Sequence, residues 1–97
     1  MSAGAQQLVR LEIQQALGDL AEARVRVERY TKETQIGKQL STQAAVAFDS
    51  GLGEARELLE GTLLWARADG ERLKALYDAQ LAWAALEKAM GAPLSAP

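Results

Sequence analysis

Phe48-Asp49-Ser50-Gly51-Leu52-Gly53-Glu54 decides how this chain folds. The stretch holds two of the eight glycines within three residues, and it parts two long proline-free segments that both carry helical periodicity. A glycine at Gly51 takes without steric cost the left-handed conformation that closes a helix, with Leu52 placed to fold back on the last turn. Gly53 then frees the chain to reverse, and Glu54 and Glu57 bring negative charge to the start of the next helix. The simplest object with such a hinge is all-α: an antiparallel two-helix coiled-coil hairpin.

The bulk numbers narrow the function. At 97 residues there is room for one domain at most, and two helices share one seam, which leaves most of each surface facing outward. Hydrophobic residues make up 48% of the chain while aromatics are 5%, a balance that suits close helix contact better than a thick core. The net charge of -2 gives no electrostatic reason to expect nucleic acid or an anionic membrane. Cysteine and histidine are absent, which removes thiol chemistry, the usual zinc ligands and the commonest general acid/base. Neither catalysis nor a cofactor or metal is expected. The first residues lack the pattern of a secretory signal, and no run approaches a membrane span.

Residues 1–4 and 92–97 read as disordered ends, with the hairpin over 5–91: helix 1 at about 5–49, the tip at 50–53, and helix 2 at about 54–90, closed by Gly91 with Pro93 beyond it. One stripe in helix 1 runs Val9, Ile13, Ala16, Leu20, Ala23, Val27, Tyr30, Thr34, Gly37, Ser41, Ala44, Phe48 in alternating steps of four and three. The matching stripe in helix 2 runs Ala55, Leu58, Thr62, Trp65, Asp69, Arg72, Leu76, Ala79, Trp83, Leu86, Met90. A sustained 3.5-residue repeat means left-handed supercoiling about these positions. Folding at the hinge pairs residues whose numbers add to about 102 or 103, so the seam is expected to set Gly37 against Trp65, Val27 against Leu76, and Leu20 against Trp83. Two layers are polar: Thr34 with Asp69, and Tyr30 with Arg72, the second read as a cation-π contact.

Helix 2 carries a second apolar stripe, Leu59, Leu63, Ala66, Gly70, Leu73, Tyr77, Ala84, beside the first. From Leu73 to Met90, thirteen of eighteen positions are apolar. A helix this apolar needs other helices on more than one side, so the pair is expected to associate with neighbours. Gly51-Leu52-Gly53 is no phosphate loop, because it neither follows a strand nor has the remaining glycine. Glu54, Glu57 and Glu60 read as a solvated face complementing the helix dipole.

With these residues in view, the chain resembles the last helical hairpin of TolC-like outer membrane efflux proteins. The family's tip pattern is an aromatic, two residues, Gly, five residues, an acid, two apolar residues, an acid and a small residue. Phe48, Gly51, Glu57, Leu58-Leu59, Glu60 and Gly61 meet it. Leu11-Glu12-Ile13-Gln14-Gln15-Ala16-Leu17, with Leu20 and Ala23, is similar to the descending helix. Tyr77, Leu81-Ala82, Ala84, Leu86 and Gly91 are similar to the closing one.

The resemblance implies a periplasmic hairpin that lines up with others of the same channel into an α-helical tunnel. This chain would be a fragment of that α-helical barrel, with no membrane insertion of its own, on the periplasmic side of the cell outer membrane. It implies a homo-oligomer, a trimer, whose tip Phe48, Asp49, Ser50, Gly51, Leu52, Gly53 docks a periplasmic adaptor protein of a tripartite pump. Glu57 and Glu60 would form an acidic ring at the entrance. Some members latch the tip with a Tyr hydroxyl and an Arg; here Phe48 and Gly53 hold those places, and Arg56 stands one turn on as a replacement. The other reading open at this point is a free-standing hairpin that self-associates into a four-helix bundle.

Overall fold

The computed structural model describes residues 2–91, and those residues form two α-helices, α1 (Ala3–Asp49) and α2 (Ala55–Met90), joined by a short turn. The expected all-α hairpin is the observed fold. The helices run antiparallel: Gly37 lies against Trp65, while Ser41, one turn later in α1, lies against Gly61, one turn earlier in α2. The expected disordered tail, 92–97, lies outside the described residues.

α1 starts two residues before the expected boundary. Ser2 caps it, its hydroxyl oxygen accepting the Ala5 N–H at 3.1 Å and its carbonyl accepting the Gln6 N–H at 3.0 Å. Residues 3–4, expected to be disordered, are therefore helical. At the far end of α2, Gly91 has φ 71° and gives its N–H to the Glu87 carbonyl at 3.0 Å, closing the helix as its position suggested. On the outer surface, Glu28–Lys32 and Arg29–Glu33 are exposed pairs one turn apart. Each is worth a few tenths of a kcal/mol, at about 0.3–0.5, which supports the helix without deciding the fold.

Contacts divide the chain into two units, Met1–Val25 with Ala75–Pro97, and Arg26–Lys74. In the first, Ala16, Leu20 and Ala23 from α1 are buried, as are Ala75, Ala82 and Leu86 from α2. In the second, Gly37, Ser41 and Ala68 are buried, with Val27, Tyr30, Thr34, Ala44 and Leu58 half-buried. Every buried residue of α1 lies on the stripe read from the sequence.

α2 differs. Its buried row is Ala68, Ala75 and Ala82, extended by half-buried Gly61 and Ala89 at the same seven-residue spacing. The larger residues next to that row turn toward the rim, with Trp65 and Leu76 each 37% exposed and Met90 51% exposed. Trp83 stays half-buried and Leu86 buried. One half of the expected seam is thus displaced by one residue, onto the smallest side chains. The cause is close approach. A Cβ built on Gly37 would stand 2.8 Å from the Trp65 Cα and 3.0 Å from its nitrogen, so backbone meets backbone at this layer. The glycine makes room for the Trp65 main chain, and the indole leans outward. Only alanine and glycine allow helices so near each other while keeping normal packing density.

The polar layers resolve mainly within each helix. Tyr30 receives the Arg29 guanidinium 5.0 Å from its ring centroid, not that of Arg72. Arg72 instead pairs with Asp69 one turn back, at 2.8 Å. Thr34 donates its hydroxyl to the Tyr30 carbonyl at 2.7 Å. One polar contact does cross the seam: the Ser41 and Thr62 hydroxyls are 3.2 Å apart. Thr62 already spends its single proton on the Leu58 carbonyl at 2.8 Å, which makes buried Ser41 the donor across the helices.

Candidate functional site: the tip and its acidic groove

The tip is built by the end of α1. Gly51 has φ 76°, and its N–H reaches the Phe48 carbonyl at 3.0 Å while the Leu52 N–H reaches the Ala47 carbonyl at 2.9 Å. That pair of bonds, 5→2 and 6→1 around a left-handed residue, is the Schellman stop. Ser50 adds its hydroxyl to the Val46 carbonyl at 2.8 Å, and Gly53 also donates to Ala47 at 3.0 Å. Of the carbonyls that an ending helix leaves orphaned, those of Ala47 and Phe48 are therefore satisfied by the turn itself.

Two details differ from expectation. The Leu52 side chain does not fold back on the helix; it projects into solvent at 89% exposure, although its backbone N–H does return. The Schellman stop needs only that N–H, and nothing on the last turn of α1 reaches the leucine. Gly53 is required by sterics: a Cβ there would come within 2.8 Å of the Ala47 Cβ. Phe48 is 43% exposed, so the tip presents an aromatic and an aliphatic side chain on a backbone held by the Schellman bonds.

Just behind the tip, within Arg26–Lys74, a shallow groove runs between the helices. Its walls are Leu40, Gln43, Ala44, Ala47 from α1 and Glu57, Glu60, Gly61, Leu64 from α2. Glu57 and Glu60, three apart, share this side as the helical repeat requires. The groove has a small-residue floor and an acidic rim. Arg56 does not stand free as a latch. Its Nε holds the Glu60 carboxylate at 3.1 Å, one turn along the same helix, which offsets part of the rim's charge.

Of the remaining residues singled out from sequence, Gly37 and Trp65 meet directly, Val27 and Trp83 are half-buried, and Leu76 sits at the rim. The groove walls on α1 were not foreseen. Their signal was present in the small pair Ala44 and Ala47, which line the groove together with Gly61. No helix among the described residues is long and apolar enough to cross a membrane. The chain matches no protein-family model, no curated protein and no solved structure.

Proposed function

We propose that this chain is a periplasmic tunnel hairpin of an outer membrane efflux or secretion channel, with its tip docking a periplasmic adaptor. The observation that carries the reading is the second stripe of α2. Leu59, Leu63, Leu73 and Tyr77 are 60%, 47%, 53% and 62% exposed on a helix whose opposite side is already packed. In a 3.5-residue repeat each residue advances about 103°, which sets the centre of this stripe roughly 155° from the centre of the seam. A helix with apolar faces so nearly opposed fits between two neighbours in a curved wall of helices. In a four-helix bundle the two adjacent seams of a helix are only about 90° apart, so that alternative leaves the far stripe of α2 in water.

The tip agrees with a docking role. Its backbone is held by the Schellman bonds, and Leu52 projects an apolar side chain beside the exposed Phe48 ring. Glu57 and Glu60 on one side of the groove would give a ring of such hairpins a negative mouth that favours cations over anions. The partners in this reading are other hairpins of the channel, in a trimer, and the adaptor; the location is the periplasmic side of the outer membrane. The chain performs no catalysis in it.

The test is site-specific photo-crosslinking in cells, with the reactive side chain placed at Leu52, Leu63 or Leu73. Position 52 should capture a periplasmic adaptor, and positions 63 and 73 should capture another hairpin. Capture of only a closed pair of this chain from positions 63 and 73, with nothing from position 52, would select the free-standing module.

A further inference from the structure

The seam has a symmetry about its own turn. Gly37 and Trp65, which meet backbone to backbone, stand fourteen residues either side of Gly51, and Ser41 and Gly61 stand ten. The packed positions also keep one phase through the turn. Ala16, Ala23, Gly37 and Ala44 in α1 and Leu58 and Leu86 in α2 are buried or half-buried on a single seven-residue row, and Gly51 falls on that row between Ala44 and Leu58. The alanine row of α2 lies about 50° to one side, an offset that a small change of winding absorbs. A hairpin has no need of such a phase, because a turn can present the second helix at any rotation. A helix running straight through residues 50–54 does need it, so that both halves point their packed rows the same way.

We infer that this chain exchanges halves with a second copy of itself: the turn opens into helix, and α1 of each copy packs on α2 of the other about a two-fold axis near Gly51. Each seam contact made within one chain is then remade between two, with Gly37 of one copy against Trp65 of the other. Phe48, 43% exposed at the tip, gains Ala55 of the second copy at the new centre. The lock on this exchange is the glycine pair. Gly51 sits at φ 76°, which residues with side chains rarely adopt, and a Cβ on Gly53 would stand 2.8 Å from the Ala47 Cβ, so both residues suit the turn. Both also resist the straight helix, glycine being a poor helix former. The exchange rests on the seam alone and holds whether or not the chain lines a channel.

Gly51→Ala combined with Gly53→Ala strains the turn and favours the helix, so by sedimentation the full chain carrying both should dimerise about tenfold or more tightly than the unmodified one. Dyes on Lys38→Cys and Leu64→Cys, specific because the chain has no cysteine, report the separation of the two halves when labelled chain is diluted in unlabelled. The two positions are close in the hairpin and about 40 Å apart along an open helix, at 1.5 Å for each of the 26 residues between them. Energy transfer should fall as the dimer forms. Two alanines inserted after residue 53 in the same background turn the packed row of α2 about 200° away from that of α1, and should abolish the dimer. A dimer that keeps high transfer, or one that survives the insertion, is two hairpins side by side and overturns the inference. So does a doubly substituted chain that stays monomeric, folded or unfolded, to millimolar concentration, since the exchanged pair keeps every seam contact.

Discussion

The same substitution, glycine to alanine, should move stability in opposite directions at two places in this hairpin. Gly37 and Gly70 are both mid-helix, and intrinsic propensity favours alanine at each by about 1 kcal/mol. At Gly70 nothing opposes that gain, because a Cβ there finds open space. At Gly37 the new methyl would stand 2.8 Å from the Trp65 Cα and 3.2 Å from its Cβ. Ordinary carbon contacts are about 3.5–4.0 Å, and main-chain atoms inside a helix cannot swing aside. Forcing extra carbon into a packed site costs about 1–3 kcal/mol. Gly37→Ala should therefore come out neutral to about 2 kcal/mol destabilised, and Gly70→Ala about 1 kcal/mol stabilised, the two separated by about 1–3 kcal/mol. The assay is thermal and urea unfolding followed at 222 nm, at a concentration where sedimentation reports monomer. Each kcal/mol corresponds to roughly 4–8 °C in Tm for a chain of this size. Equal stabilisation by the two substitutions would refute the backbone-to-backbone seam at this layer.

Two further outcomes follow from the turn and the polar rung. Gly51→Ala forces a side chain into the left-handed region and should cost about 1–2 kcal/mol in unfolding experiments, with Gly51→Asn costing less because asparagine tolerates that conformation. Ser41→Ala removes the donor that crosses to Thr62 and should cost about 0.5–1.5 kcal/mol by urea titration; Thr62, exposed, regains a water in its place, which keeps the loss at the low end.

How far residues alone lead depends on whether the deciding force is local. The stop at Gly51 and the unbroken stripe from Val9 through Ala44 are local patterns, and both are present as read. In α2 the reading followed the largest apolar side chains, Trp65, Leu76 and Met90, because hydrophobicity is what a stripe is counted from. In Arg26–Lys74 the helices instead close on Gly61 and Ala68, since the spacing between the axes there is set by how near the backbones come at Gly37 and Gly61, and in the other unit they close on Ala75 and Ala82. Size at a contact is a property of two chains of atoms at once, and one stripe does not contain it. Tyr30 teaches the same point: register offered it Arg72, but Asp69 lay within one turn and claimed that guanidinium, leaving the ring to Arg29. The cap at Ser2 has no capping-box partner, since Ala5 stands where a Glu or Gln would answer it, so the residues do not mark this start. At the tip, Gly51 was readable from sequence, while the outward Leu52 and the groove walls depend on the turn's final shape.

The alanine ladder of α2 has a mechanical corollary. Rungs at 61, 68, 75, 82 and 89 are nearly alike, so a two-turn slip of one rod past the other is resisted less by this track than by Gly37, whose place against the Trp65 main chain would pass to Tyr30 or Ala44. Large interlocking knobs, which pin most supercoiled pairs, are sparse along this track. The covalent bend at Gly51 and Gly53 and the notch at Gly37 therefore act together as the zero mark of a ruler, fixing one alignment where the alanine track alone would accept several.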